Sequence, residues 1–303
     1  MKTKKIDMEL TTACNAKCKF CPRETYGIDF NEIGIDSLKT VLSPTLDSLD
    51  EVWLSGSFGD AIFYPHLFEL LDFLGDDRII YIMTNESGGN NIFWNRLAEY
   101  SGVTVVFALD GLKDSHELYR KISYKNVINN MTTYLSNGGT AMAQMLIFKH
   151  NEHEVEDVKT LVESMGASIY YRISRKYDDE LKRPVKYSIK TLYEMSEGRE
   201  SVYCQFIEEN FIYMTSQGEI MPCCHYHPGR FLEVFGNDQE LNNMYNISRN
   251  DISIYKSDVQ GALRSPLFSY IIERKDSLPV CMDICRMKRD EKMSESIRNL
   301  EDK

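Results

Sequence analysis

Apolar and polar positions follow two different rhythms along the first two-thirds of the chain. Short apolar runs at Lys5–Leu10, Glu51–Ser55, Arg78–Met83, Val103–Leu109, Ala141–Phe148 and Ser168–Ile173 have the length of strands. Between them, apolar residues recur at helical spacing over about Ser37–Leu42, Pro65–Phe73, Ile92–Tyr100, Asn126–Ser136 and Glu154–Met165. Strands alternating with amphipathic helices predict βα units on a parallel sheet. Six units are too few to close an eight-stranded barrel, so the expected fold is α/β, an open partial (β/α)6 barrel. Ligands of such folds gather at the carboxyl ends of the strands.

The rhythm changes after the sixth unit. The stretch 176–203 is polar and weakly periodic and reads as a linker. Phe211–Thr215 and Glu219–Met221 flank Ser216-Gln217-Gly218, the pattern of a β-hairpin with glycine at the tight position. Helical patterns follow near Ser257–Leu263 and Leu267–Arg274. The expected layout is a core over 1–175, a linker over 176–203, a small hairpin-plus-helix domain over 204–290 and a charged tail over 291–303.

Composition narrows the partners. Apolar residues make up 43% and charged residues 27% of the 303 positions, an ordinary globular balance. No run approaches the ~20 apolar residues of a membrane span, and the start, Met1-Lys2-Thr3-Lys4-Lys5, has no apolar signal core. The expected location is cytoplasmic, with no membrane partner. A net charge of −11 disfavours a nucleic-acid polymer. The basic stretch 172–190 is the local exception, either a solvated linker or a rim that attracts an anionic substrate.

The cysteines carry the chemistry. The chain has eight, at 14, 18, 21, 204, 223, 224, 281 and 285. In a reducing compartment this clustering at two ends reads as metal or cluster ligation. Cys14, Cys18 and Cys21 form C-x3-C-x2-C directly after the first predicted strand. Three thiolates on one short loop can hold three irons of a cubane and leave the fourth iron a place for a ligand. Structural zinc asks for four ligands and fits the triplet poorly.

With Phe20 in the aromatic position, this loop resembles the signature of the radical S-adenosylmethionine superfamily. The resemblance spans about residues 5–175 and continues in three further places. Leu54-Ser55-Gly56-Ser57-Phe58-Gly59-Asp60 with Pro65 is similar to the family's Gly-Gly-Glu loop, whose backbone pairs with the methionine amine; Asp60 stands in for Glu. Taken alone, that loop is also an ordinary strand-to-helix turn. Thr84-Asn85 is similar to Thr-Asn-Gly, with Glu86 in place of Gly, which puts the turn in question. Ala108-Leu109-Asp110-Gly111, followed by His116 and Arg120, is similar to Ser-x-Asp-Gly with its downstream arginine, which faces the methionine carboxylate; Ala108 lacks the serine hydroxyl. Gln144 and Arg172 are weaker candidates, equally readable as structural or solvent-facing. The resemblance thus implies a [4Fe–4S] cluster on Cys14, Cys18 and Cys21. It implies S-adenosylmethionine held by Phe20, Gly56, Ser57, Gly59, Asp60, Thr84, Asn85, Asp110, Arg120 and Gln144.

Cys204, Gly218-x4-Cys223 and Cys281-x3-Cys285 resemble a shortened SPASM domain, called Twitch, with one auxiliary [4Fe–4S] cluster on Cys204, Cys223, Cys281 and Cys285. Structural zinc on the same four thiolates is the alternative. Cys224 is then spare, either packed as a small hydrophobe or a hydrogen-atom donor. The implied enzyme cleaves S-adenosylmethionine reductively. The resulting 5′-deoxyadenosyl radical takes hydrogen from a peptide or small molecule. A flavodoxin or ferredoxin would supply the electron, and an auxiliary cluster would make net oxidation or crosslinking the expected outcome. Redox-neutral epimerisation through Cys224, radical chemistry on a nucleotide or modified base, and a non-enzymatic iron–sulfur or zinc protein are the alternatives.

Overall fold

A computed structural model describes residues 2–174, 176–187, 203–230, 235 and 238–285. Its described strands are β1 (Lys5–Met8), β2 (Glu51–Leu54), β3 (Ile79–Thr84), β4 (Val103–Ala108), β5 (Thr140–Ile147), β6 (Ser168–Ile173), β7 (Phe211–Met214) and β8 (Ile220–Met221). The helices are α1 (Pro22–Tyr26), α2 (Ile35–Leu42), α3 (Leu67–Leu74), α4 (Asn91–Leu97), α5 (Lys113–Arg120), α6 (Tyr124–Ser136) and α7 (Val155–Ser164). In the last third come α8 (Gln205–Glu209), α9 (Gln239–Ile252), α10 (Val259–Leu263), α11 (Pro266–Arg274) and α12 (Pro279–Cys285). The fold is α/β, with mostly parallel strands. Two compact units divide it. Among the described residues, one draws on 2–14, 22–80 and those from 203 to 285, and the other on 15–21, 81–174 and 176–187.

In the first unit the strand order is β2-β1-β7-β8. β1 runs parallel to β2, with Lys5 opposite Glu51 and Met8 opposite Leu54. Along both strands burial alternates, so Ile6, Met8, Val52 and Leu54 face the core. Helices α2 and α3 cover it with Leu38, Val41, Leu42, Leu67, Leu70 and Leu71. The hairpin is where the sequence reading and the structure part. Its first strand, β7, lies parallel to β1 on the side away from β2, pairing Lys5 with Phe211 and Met8 with Met214. β8 turns back antiparallel through Gly218, at φ +76°. Ile212, Tyr213 and Met214 are all buried, the pattern of a strand enclosed on both faces. The hairpin is therefore an extension of the sheet that carries the N-terminal strand.

In the second unit the order is β6-β5-β4-β3. β4, β5 and β6 are parallel, with Thr104 opposite Thr140 and Met142 opposite Ser168. All six predicted barrel strands and all five predicted barrel helices are present, with ends shifted by a few residues. Two longer helices were not predicted. Helix α5 buries only His116 and Tyr119, and α9 presents only Leu241, Tyr245, Ser248 and Ile252 inward. Neither has an apolar stripe dense enough to read. Residues 176–187, expected as linker, pack into this unit. Leu181 is fully buried, and the Lys182 carbonyl accepts the Lys149 N–H at 2.9 Å. The rest of the expected linker, apart from Tyr203, and the charged tail lie outside the described residues. Among the described residues no helix is long and apolar enough to cross a membrane.

Candidate functional site

In the first unit the segment after β1 and the loop after β2 are locked together backbone to backbone. The Asp60 N–H donates to the Ala13 carbonyl at 2.9 Å. A Cβ at Gly59 would fall 1.8 Å from the Thr11 carbonyl oxygen, and one at Gly56 would fall 2.2 Å from the Gly59 carbonyl oxygen. Only glycine allows either approach. This is the physical content of the small residues in the Gly56–Asp60 loop. The Asp60 carboxylate is buried and caps the next turn, accepting the Ile62 N–H at 3.2 Å. Ser55 donates to Asp7 on β1. Cys14 follows on the same segment, and its carbonyl accepts from the Arg23 guanidinium at 2.9 Å.

Two side chains that the sequence reading missed hold this loop. Glu9, completely buried just beyond β1, accepts the Phe58 N–H at 2.5 Å with one oxygen. Its other oxygen meets His227 Nε2 at 2.9 Å and the Tyr213 hydroxyl at 3.3 Å. Glu9 and His227 lie 218 positions apart, and neither belongs to a motif. Only the oddity of an acid within an apolar strand end could have marked Glu9.

The second unit holds Cys18 and Cys21, with the Cys21 N–H on the Cys18 carbonyl at 3.0 Å. Cys18 packs on a buried cluster of Tyr119, Phe148 and Leu181, joined by Phe20 and Tyr177. Phe20 lies 6.4 Å from the Phe148 ring. Burial raises the Cys18 thiol, while the Arg120 guanidinium pulls it back down. That arginine sits beside the cysteine loop: the Cys18 thiol points at the Arg120 carbonyl, 3.8 Å away. Its Nε donates to the buried Asp110 carboxylate at the end of β4. The other Asp110 oxygen accepts the Leu146 N–H at 2.5 Å. Lys19, between the two cysteines, is paired with Asp178, at 2.7 Å, and with Glu180.

At the end of β3 the Thr84 hydroxyl accepts the Glu86 N–H at 3.0 Å, and Asn85 accepts the Ser87 N–H at 3.1 Å. Glu86 adopts φ +58°, the left-handed conformation that glycine takes with least cost, so the substitution leaves the turn intact. Gln144 on β5 accepts from the Tyr170 hydroxyl at 2.8 Å. Arg172 is exposed and lies over the Tyr170 ring, 5.8 Å from its centre, so it is a surface residue of β6.

The distal cysteines belong to the first unit. Burial, with Cys285 and Cys204 nearby, raises the Cys281 thiol to about 11, against a 3.1 Å hydrogen bond with the Tyr226 hydroxyl. Burial also pushes Cys223 well up, with Cys224, Cys285 and Cys281 adding to it. Cys204, Cys223, Cys281 and Cys285 are thus electrostatic neighbours. Cys224 opens a short helical turn beside them. Among the described residues, no group of three or more His, Cys, Asp or Glu side chains stands arranged to hold a metal ion. Cysteine thiols, present on the first loop and among the distal residues, are the donor type that iron–sulfur ligation uses.

Comparison with known proteins follows these features. The family model described as Radical SAM superfamily matches residues 8–162. No curated protein matches the chain. Among solved structures it is similar to Streptococcus suis SuiB bound to S-adenosylmethionine, at 14% identity and a TM-score of 0.66, covering 92% of this chain and 72% of that one. The same protein bound to its precursor peptide SuiA aligns at 16% identity and a TM-score of 0.64, covering 89% and 67%. Native anSMEcpe with bound AdoMet aligns at 12% identity and a TM-score of 0.62, covering 90% and 83%. At such identities these likenesses establish a shared fold.

Proposed function

The chain belongs to the radical SAM superfamily, and from that premise we propose that it binds one [4Fe–4S] cluster on Cys14, Cys18 and Cys21 and uses S-adenosylmethionine to oxidise or crosslink a peptide. The observation that supports this reading is the packing around the signature cysteines within each unit. In the first, the glycine-bearing loop is pressed on the segment that leads to Cys14. In the second, the Asp110–Arg120 pair lies against Cys18. The bound cluster and cofactor together supply a carbon radical able to remove an unactivated hydrogen atom.

The chain's own residues orient and shield. The backbone of Gly56–Asp60 and the Asp60 carboxylate suit an ammonium group. Arg120 suits a carboxylate, and Asp110 fixes the direction of its guanidinium. Thr84 and Asn85 at the end of β3 and Gln144 on β5 offer neutral hydrogen bonds, and Phe20 offers a ring face. The packing of Tyr119, Phe148 and Leu181 on Cys18 keeps water from that thiol.

A Twitch-like auxiliary cluster on Cys204, Cys223, Cys281 and Cys285 belongs to the same proposal. The mutual influence of these thiols supports it. The solved peptide complex of SuiB supports a peptide substrate. Epimerisation with Cys224 as hydrogen donor is the second reading, supported by its place beside Cys223 at the start of a short helical turn.

The test is anaerobic reconstitution of the wild type and a Cys14/Cys18/Cys21→Ala variant. Iron and sulfide are counted, and 5′-deoxyadenosine is assayed after dithionite and S-adenosylmethionine are added. About eight irons in the wild type, about four in the variant and product only from the wild type are expected. A wild type with a loaded first cluster that neither binds S-adenosylmethionine nor yields 5′-deoxyadenosine overturns the reading. Zinc at the distal site removes the auxiliary cluster and the oxidative outcome.

A further inference from the structure

We propose that Glu9 is a positioning residue for S-adenosylmethionine: it holds the Gly56–Asp60 loop in its binding shape, and His227 and Tyr213 in turn hold Glu9. The inference rests on the reading of that loop as the site of the cofactor's amine.

Glu9 is completely buried. A carboxylate in that position is costly unless every oxygen is matched by donors. Three donors reach it, and two of them come from the far end of the chain. The Phe58 N–H, in the centre of the loop, reaches one oxygen. His227 and Tyr213 share the other. The His227 tautomer follows from its second nitrogen. Nδ1 accepts the Gly229 N–H at 2.8 Å, so Nε2 carries the hydrogen and donates to Glu9. The phenol has one proton, and the carboxylate can only accept, so Tyr213 donates to Glu9 and accepts from Ser57 Oγ, 3.3 Å away. Ser57 and Phe58, consecutive residues of the loop, are therefore both tied to one acid, directly or through the phenol. The Phe58 ring also stands edge-on to the His227 ring, with centres 4.3 Å apart.

An apolar side chain of similar volume at position 9 would spare the carboxylate its desolvation, but it would take the acceptor from the buried Phe58 N–H, His227 Nε2–H and Tyr213 hydroxyl. What an apolar residue could not do is aim the Phe58 N–H inward. With that N–H fixed, the peptide groups on either side have set directions, which is what recognition of an ammonium by carbonyl oxygens requires.

Glu9→Gln keeps the shape and places an amide NH2 or a single carbonyl against three donors whose directions are fixed. Tyr213→Phe removes the phenol alone and leaves the Phe58 and His227 bonds in place. Both are compared with the wild type after anaerobic reconstitution. Iron per chain, the Kd for S-adenosylmethionine by equilibrium dialysis, and KM and kcat for 5′-deoxyadenosine are measured. In Glu9→Gln we expect wild-type iron, a Kd at least about tenfold weaker (~1.4 kcal/mol) and a KM raised with kcat little changed. In Tyr213→Phe we expect a smaller loss of the same kind. If Glu9→Gln does not fold or load iron, Tyr213→Phe decides alone. Wild-type Kd and KM in the variants, with or without a lowered unfolding temperature, would mean that Glu9 is structural only and overturn the proposal. A wild type that itself does not bind S-adenosylmethionine removes the reading of the loop, and this inference with it.

Discussion

His116 shows how one buried group ties the second unit to pH. It lies fully buried on α5, and its Nδ1 accepts the Asp110 N–H at 3.2 Å. Burial, with Arg120 nearby, lowers its pKa from 6.5 to about 4. The folded value lies below the unfolded one, so protonation favours the unfolded chain. The neutral imidazole's contribution is complete above pH 6.5. It is lost progressively as the pH falls toward 4, on the order of 3 kcal/mol at most. Thermal unfolding of the apo chain between pH 7 and pH 4 should fall more steeply for the wild type than for His116→Asn, which keeps an acceptor for Asp110 but does not titrate. Parallel curves would mean that His116 is not the group responsible. At this scale the sequence disclosed what is contiguous. Cys14, Cys18, Cys21, the glycines of the 56–60 loop, and Asp110 with Arg120 ten residues on all lie in short windows. Glu9, Tyr213 and His227 do not, because their meeting depends on β7 lying beside β1.

Elements were legible in proportion to their apolar content. The six barrel strands are dense in buried residues and stand out. Helix α9 does not. Four inward positions in fourteen residues are spread among asparagines, and its start is set instead by Asp238, whose carboxylate accepts the Leu241 N–H at 2.9 Å. Such a cap contributes about 1 kcal/mol. Asp238→Ala should lower stability by about that amount in denaturant titration, whereas Asp238→Asn or Asp238→Ser should retain most of it. A loss of several kcal/mol would point to a role beyond capping. The hairpin expected from the sequence is present, and its first strand pairs with β1. Its strand lengths and its turn are local, but the choice of β1 as neighbour is not written in either strand.

For the whole molecule, the two units do not follow the order of the sequence. The first is assembled from both ends of the chain. The layout expected from the sequence puts the core over 1–175, whereas β7, at 211–214, pairs with β1. A chain ending at residue 187 lacks β7 and leaves β1 with an open edge, a template for pairing between molecules. Such a chain should be aggregated or trapped in inclusion bodies when expressed, and bound to S-adenosylmethionine in no fraction. A soluble, monomeric, ligand-binding fragment would show that the C-terminal strands are dispensable.

The pairing of β1 with β7 also sets an order of events in time. β1 leaves the ribosome first, and β7 about two hundred residues later. At roughly 5–20 residues per second, the first strand waits some ~10–40 s for its neighbour. Until then Glu9 has neither His227 nor Tyr213 as a donor. The acid that ties the Gly56–Asp60 loop is therefore made about two hundred residues before the groups that hold it.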